Sequence, residues 1–308
     1  MKQYLELLRD ILDNGVDKDD RTNTGTISVF GRQLRFNMKD GFPAVTTKKL
    51  MWRSVVSELL WFLEGSTNEH RLAEIKNDNK PYGELSYKEK HTIWTDNYDN
   101  QARALGYKDG ELGPIYGYQW RKFISAREII DPLDESVYAN VYYDVKIIDQ
   151  IQNTIDEIRE NPTSRRLVVS SWNAGMIPYM SLPPCHYSFQ FYVNKNRLSL
   201  MCNMRSNDVF LGCPFNIASY ALLLHIIAKI TNKVPDELII SLGDVHIYKN
   251  HIQQVKEQLA RKPHKLPKLK LPNANYSSID NFVKTVRVSD FILEDYVCDD
   301  AIKAPMAI

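Results

Sequence analysis

Residues 181–231 read SLPPCHYSFQFYVNKNRLSLMCNMRSNDVFLGCPFNIASYALLLHIIAKIT. Two runs inside this stretch, YSFQFYV (187–193) and RLSLMCNM (197–204), are rich in strand-forming side chains. The run that follows, IASYALLLHIIAKIT (217–231), is apolar and predicts a helix. LVVSSW (167–172) before it and ELIISL (237–242) after it add two more strands. Strands gathered around one apolar helix predict an α+β domain built on a sizeable sheet.

Outward from that centre the pattern is mostly helical. Leu5, Leu8, Ile11 and Leu12 recur at helical spacing, and Asn14-Gly15 ends that helix. Charges interrupt every apolar run there, so the segment does not read as a secretory leader. TISVFGRQLRF (26–36) alternates like a strand or hairpin, with a bend at Gly31. LMWRSVVSELLWFLEG (50–65) predicts a buried helix closed by glycine, and the polar stretch 66–92 predicts surface. Residues 124–145 carry mixed patterning and read as an insertion. Amphipathic helices are predicted over 145–161 and 247–261. With no repeat and no linker, the expectation is one domain spanning 1–308.

The composition excludes several classes. The chain has 308 residues, 44% hydrophobic and 25% charged, which suits an ordinary globular core. A formal charge of +1 gives no bulk attraction to nucleic acid or to acidic membranes, so an anion site must be a local cluster. No stretch reads as the 18 or more apolar residues of a membrane span. Cysteines at 185, 202, 213 and 298 show no CxxC spacing and read as free thiols in a reducing cytoplasm.

Cys185 stands out. A cysteine is most often a small buried apolar side chain, but core packing does not require the two prolines that precede this one. His186 is a poor base for it, because neighbours on a strand point to opposite faces. The thiolate must then be favoured by nearby arginines. Arg165 and Arg166 precede one strand, Arg205 and Ser206 end another, and Arg21 sits in the turn DRTNTGT (20–26). Guanidinium groups with a hydroxyl suit a phosphate dianion.

His246 and Tyr248 in GDVHIYKNH (243–251) share one face of a strand and suit sugar hydroxyls. His246 and His251 match no usual metal spacing, so no metal is expected. Glu58 lies among Leu59, Leu60, Trp61 and Phe62, and is either on the exposed side of its helix or buried with a raised pKa. Tyr116 in GPIYGYQW (113–120) is either an aromatic anchor or a hydroxyl aimed at a ligand. Together these groups describe covalent chemistry on a phosphorylated small molecule.

In order along the chain, DRTNTGT, FPAVTTKK, ELLWFLEGSTN, GELGPIYGYQW, SRRLVVSSWN, LPPCHYSFQFYV, RSNDVFLGCPFNIASYALL, GDVHIYKNH and IKAPMAI run from residue 20 to the last residue. In this set and order the chain resembles the thymidylate synthase family, which includes folate-dependent pyrimidine hydroxymethylases. The resemblance implies an α+β single domain with a large mixed, mostly antiparallel β-sheet flanked by helices, the sheets packing across a homodimer interface. It implies that Cys185 adds to C6 of dUMP and makes C5 a nucleophile toward 5,10-methylenetetrahydrofolate.

The same resemblance implies a role for each matching residue. Arg21, Arg205 and Ser206 would hold the phosphate, joined by Arg165 and Arg166 from the partner of a homodimer. His246 and Tyr248 would bind the deoxyribose hydroxyl, and Asn216 would read the uracil edge. Glu58 would organise proton transfer at O4, Tyr116 would assist loss of the C5 proton, and His186 would join their network. Asp208 would bond the pterin, while Trp94, Leu182, Gly212 and Phe215 line the folate pocket. Lys48 would meet the glutamate tail, and the segment ending in Ile308 would close over both ligands.

Three positions depart from the family pattern: Met204 replaces a common Gln, Thr95 an acid, and Asn97 a second tryptophan. They bear on whether hydride or water resolves the methylene intermediate. The principal reading is therefore methylation of dUMP to dTMP. The alternative is 5-hydroxymethylation of dUMP, or less favourably dCMP. A non-catalytic nucleotide-binding or RNA-binding relative is a third reading, against which Cys185 and the arginines argue.

Overall fold

A computed structural model of the chain describes residues 1–20, 23–130 and 141–305. Its strands are β1 (Val16–Lys18), β2 (Thr26–Asn37), β3 (Phe123–Ile130), β4 (Val141–Ile148), β5 (Val168–Ser170), β6 (His186–Asn194), β7 (Arg197–Asp208), β8 (Val234–Tyr248), β9 (Lys268–Lys270) and β10 (Ile292–Glu294). Six of them form one sheet in the order β1-β2-β8-β7-β6-β5. Every pairing in it is antiparallel except β7 with β8. A parallel pair needs a crossover, and the helix Gly212–Ile230 supplies it. The architecture is mixed α+β, a large sheet flanked by helices.

The crossover helix is buried nearly all round, as its unbroken apolar composition requires. It passes the length and composition test for a membrane span, which no stretch was expected to do, yet 78% of it is buried inside the domain. Against it packs the helix Trp52–Glu64, buried continuously from Val55 to Leu63. The paired helices form the second layer of the core.

Some boundaries differ from the sequence reading. Residues 145–148 were expected in a helix but belong to β4, where Ile147 pairs with Ile124. The helix starts at Gln150 because the Asp149 side chain caps it, accepting from Gln152 N. Residues 247 and 248 likewise complete β8, and the next α-helix begins at Ile252. The 66–92 stretch is not all surface: the helix Glu69–Lys76 buries Glu69, Leu72, Ala73 and Ile75. Of the expected insertion at 124–145, the flanks form the β3–β4 hairpin, and 131–140 lie outside the described residues.

One feature of the sheet positions everything described below. Among apolar side chains, those buried in β2 are Val29 and then Leu34 and Phe36; in β8 they are Leu238, Ile240 and Leu242 and then Val245 and Ile247, while the polar Thr26, Ser28 and His246 are buried at the cleft end. The in–out alternation thus inverts in both strands. It does so between the pairs Phe30–Asp244 and Arg32–Leu242, at Gly31 and Gly243. Gly31 has φ +72°, a left-handed conformation that side chains disfavour. At Gly243 a Cβ would lie 2.9 Å from the Arg205 carbonyl oxygen, so glycine lets β8 approach β7 there. β7 inverts at the same level: Cys202 and Met204 are buried on one side of Arg205, and Asn207 on the other.

A methyl group at Gly31 meets nothing within 4 Å, so substitution there tests backbone strain alone. Gly31→Ala is expected to lower stability by about 1–2 kcal/mol, read from the midpoint of urea unfolding.

Candidate active site

Below the inversion the sheet opens into a cleft of about 780 Å³. Its walls include Cys185, Arg205 and Ser206, His246 and Tyr248, and Leu182 with Asn97. Cys185 is the residue immediately before β6. Its backbone N–H donates to the Tyr116 hydroxyl at 2.8 Å, and its carbonyl accepts from Arg205 N at 2.9 Å. The Arg205 guanidinium completes the frame, donating to the Pro183 and Pro184 carbonyls at 2.9 Å each. The prolines hold φ, and Arg205 holds their carbonyls, so the thiol is fixed from both sides.

The same guanidinium lies 3.9 Å from Cys185 Sγ and 5.8 Å from the Trp172 ring. Burial nevertheless pushes the Cys185 thiol up, with Arg205 and Tyr116 pulling against it. The expected pull of a nearby arginine is present, since Arg205 favours the thiolate. Among the described residues desolvation outweighs it, and the sulfur rests protonated.

Behind the thiol stands an aromatic wall. His186 is turned into the core, as strand alternation requires, stacked on Tyr116 at 4.1 Å with Nδ1 2.7 Å from the Tyr220 hydroxyl. Burial lowers its pKa to about 3, so it is neutral and supplies no base to Cys185. Tyr116 is driven well above the usual phenol range by burial and keeps its proton.

Glu58 is buried, which decides between the two readings of its helix. Desolvation raises its pKa to about 7, while the Trp94 indole N–H, donating to Oε1 at 2.7 Å, opposes the rise. A carboxyl poised near neutrality can take up or release a proton. Trp94 is itself buried, so its indole serves Glu58 rather than the cleft wall.

The remaining predicted residues fall into three groups. Asp208, Gly212, Phe215 and Asn216 cluster at the end of β7 and the start of the crossover helix. Asp208 accepts from Phe210 N and Leu211 N there, and Asn216 Oδ1 accepts from Asn207 at 3.2 Å. Lys48 is buried, its ammonium 3.6 Å from the centre of the Phe210 ring and bonded to the Phe210 carbonyl oxygen. Burial lowers it to about 8, and it must swing outward to reach any ligand.

Arg165 and Arg166 are exposed ahead of the edge strand β5 and do not line the cleft of their own chain. Arg21 and Ile308 lie outside the described residues. Among the described residues no group of three or more His, Cys, Asp or Glu gathers in a metal-binding arrangement. The sequence reading passed over Lys18 and Asp244, which also line the cleft. The signal for Asp244 was its place two residues before His246, on the same face of β8.

A fixed thiol beside a guanidinium, with Ser206, His246 and Tyr248 along the same cleft and a buried acid behind it, places a potential nucleophile next to groups suited to a phosphorylated ligand. The sequence profile described as thymidylate synthase matches residues 2–308. "Thymidylate synthase" of Enterobacteria phage T4 is 46% identical, each chain covered in full. A crystal structure of thymidylate synthase from T4 phage superposes with a TM-score of 0.85 at 45% identity, again over both whole chains. The chain belongs to the thymidylate synthase family.

Glu58 yields a test of its environment. Its ordinary pKa is 4.5 and its folded value about 7, so between them the unfolded chain ionises while the folded one keeps the proton. Stability is therefore lost as pH rises through that window. Glu58→Gln, which cannot ionise, should gain about 2–3 kcal/mol relative to the parent between pH 5 and pH 8, measured by urea unfolding at each pH.

Proposed function

We propose that the chain methylates dUMP at C5, giving dTMP and dihydrofolate through a covalent Cys185 adduct at C6. The observation that carries this reading is Arg205, which fixes the loop of Cys185 and stands beside its sulfur in a cleft that also holds His246 and Tyr248. Family membership and the T4 relative support the methylating course; they do not favour the hydroxymethyl alternative.

The residues divide the work as follows. Arg205 and Ser206 face the phosphate, and His246 with Tyr248 faces the deoxyribose hydroxyl. Phosphate neutralises part of the Arg205 charge, so the thiol must lose its proton as it bonds to C6, a step that desolvation by the ligand does not assist. Glu58, near its midpoint at neutral pH, holds or passes a proton at the pyrimidine oxygen. Asn216 reads the base edge, and Tyr116 holds the Cys185 backbone while its phenol remains protonated.

The cleft suits methylenetetrahydrofolate in size and in its mixed lining, with Leu182 offering an apolar wall and Asn97 a polar one. When bound, the folate supplies the one-carbon unit and the hydride. Asp208, Gly212, Phe215 and Lys48 are the residues assigned to its side of the site, with Trp94 acting there through its bond to Glu58.

A second copy of the chain completes the site in this reading. The open face of the sheet carries a cavity of about 870 Å³ lined by Phe30, Trp172, Tyr187 and Leu242, and Phe30 is 83% exposed. Arg205 lines both this cavity and the cleft, so a partner seated on the face reaches the phosphate end. Arg165 and Arg166 are the exposed cations assigned to that reach.

Two experiments test the proposal. With dUMP and methylenetetrahydrofolate, the parent should release dihydrofolate and a nucleotide heavier by one methylene, while Cys185→Ser loses at least about a thousandfold in kcat and still binds dUMP. A hydroxymethyl product without dihydrofolate would refute the methylation. Separately, Arg166→Ala and Cys185→Ser proteins, each nearly inactive, should regain about a quarter of parental activity on mixing and reassembly, because random pairing restores one complete site per mixed dimer.

A further inference from the structure

The loop end of β1 contributes a residue to the cleft that the reaction as derived does not use. Lys18 pairs with Thr26 of β2, and Thr26 pairs with Tyr248 of β8, so three strands end side by side at the sugar-binding groups. From there Lys18 reaches Asp244, its Nζ 2.5 Å from Oδ2. The other carboxylate oxygen, Oδ1, lies 3.0 Å from Nδ1 of His246. All three residues line the cleft.

The chemistry of this row is constrained. Burial raises the Asp244 pKa, but the bonds from Lys18 and His246 outweigh it and hold the carboxyl below its usual range. An ionised carboxylate has only acceptors, so Nδ1 of His246 must carry the hydrogen. The Lys18 ammonium holds the opposite oxygen of the same carboxylate and so fixes its orientation toward the ring. In the neutral imidazole Nε2 then presents a lone pair, which accepts a hydrogen bond and cannot give one.

We propose that Lys18 and Asp244 are positioning residues that fix the tautomer of His246, so that the site demands a hydroxyl donor on the sugar of its nucleotide. This rests on the reading that His246 faces the deoxyribose hydroxyl. It goes further by making sugar selectivity depend on two residues that act through His246. A ligand with hydrogen or an ether oxygen in place of that hydroxyl leaves the Nε2 lone pair unanswered.

The test compares dUMP with its 2′,3′-dideoxy counterpart by calorimetric titration into the parent, Asp244→Ala and Lys18→Met. Histidine ring ¹⁵N shifts are recorded for the same proteins. The parent should prefer dUMP about tenfold and show the Nδ1–H tautomer at His246. In Asp244→Ala the preference should fall below about threefold through weaker dUMP binding alone, with the dideoxy nucleotide bound as before and the Nδ1–H signature lost. Lys18→Met, which frees one oxygen of that carboxylate, should shift the preference and the Nδ1–H signature in the same direction as Asp244→Ala but less far.

Equal weakening of both nucleotides in Asp244→Ala would mark Asp244 as merely structural and overturn the proposal. So would an unchanged tautomer with undiminished selectivity. A parent that binds both nucleotides alike would instead remove the sugar-hydroxyl reading of His246, a separate failure.

Discussion

The geometry of the site depends on where Arg205 is held. Its guanidinium donates to the carbonyls of two consecutive prolines, its backbone bonds the Cys185 carbonyl, and its charge lies beside the sulfur. Prolines supply a fixed φ and carbonyls with no competing N–H of their own, so the loop has one arrangement that satisfies Arg205. Arg205 in turn occupies the level at which β7 inverts its alternation, opposite Gly243. A glycine that admits a close strand approach thereby sets the position of the Cys185 thiol at the entrance to another strand.

Burial governs the proton states around the Cys185 thiol. It raises Glu58 to about 7, drives Tyr116 and Cys185 upward, and lowers His186 to about 3. One physical cause thus produces a neutral phenol, a neutral imidazole, a protonated thiol and an acid poised for transfer. Of these four groups, Glu58 is the one left able to change state readily near pH 7. The adjacent Cys-His pair in the sequence invites a hydrolase reading, and the packing of His186 between Tyr116 and Tyr220 removes it.

The sheet also links the site to its surroundings. Its inward face carries the core helices, while its open face carries an aromatic-lined cavity that meets the cleft at Arg205. Exposed Phe30 is paired with Asp244, so the Lys18–Asp244–His246 row and the residues of the open face belong to the same stretch of sheet.

Local periodicity determined a good deal. The strands around residues 187–204, the two apolar helices and the rigid strand entrance at Cys185 were legible because each depends on neighbours a few residues apart. The order of short segments from residue 20 to the C-terminus pointed to the family. Periodicity did not decide whether Glu58 was exposed or buried, since that depends on the helix packed against its own. It placed residues 145–148 in a helix, because a hairpin partner at residue 124 leaves no mark on the segment itself. Lys18 and Asp244, 226 residues apart, became a pair only when β1, β2 and β8 aligned. A chain encodes which residues favour a strand within a few positions, but register brings distant side chains together, and register is set by the whole sheet.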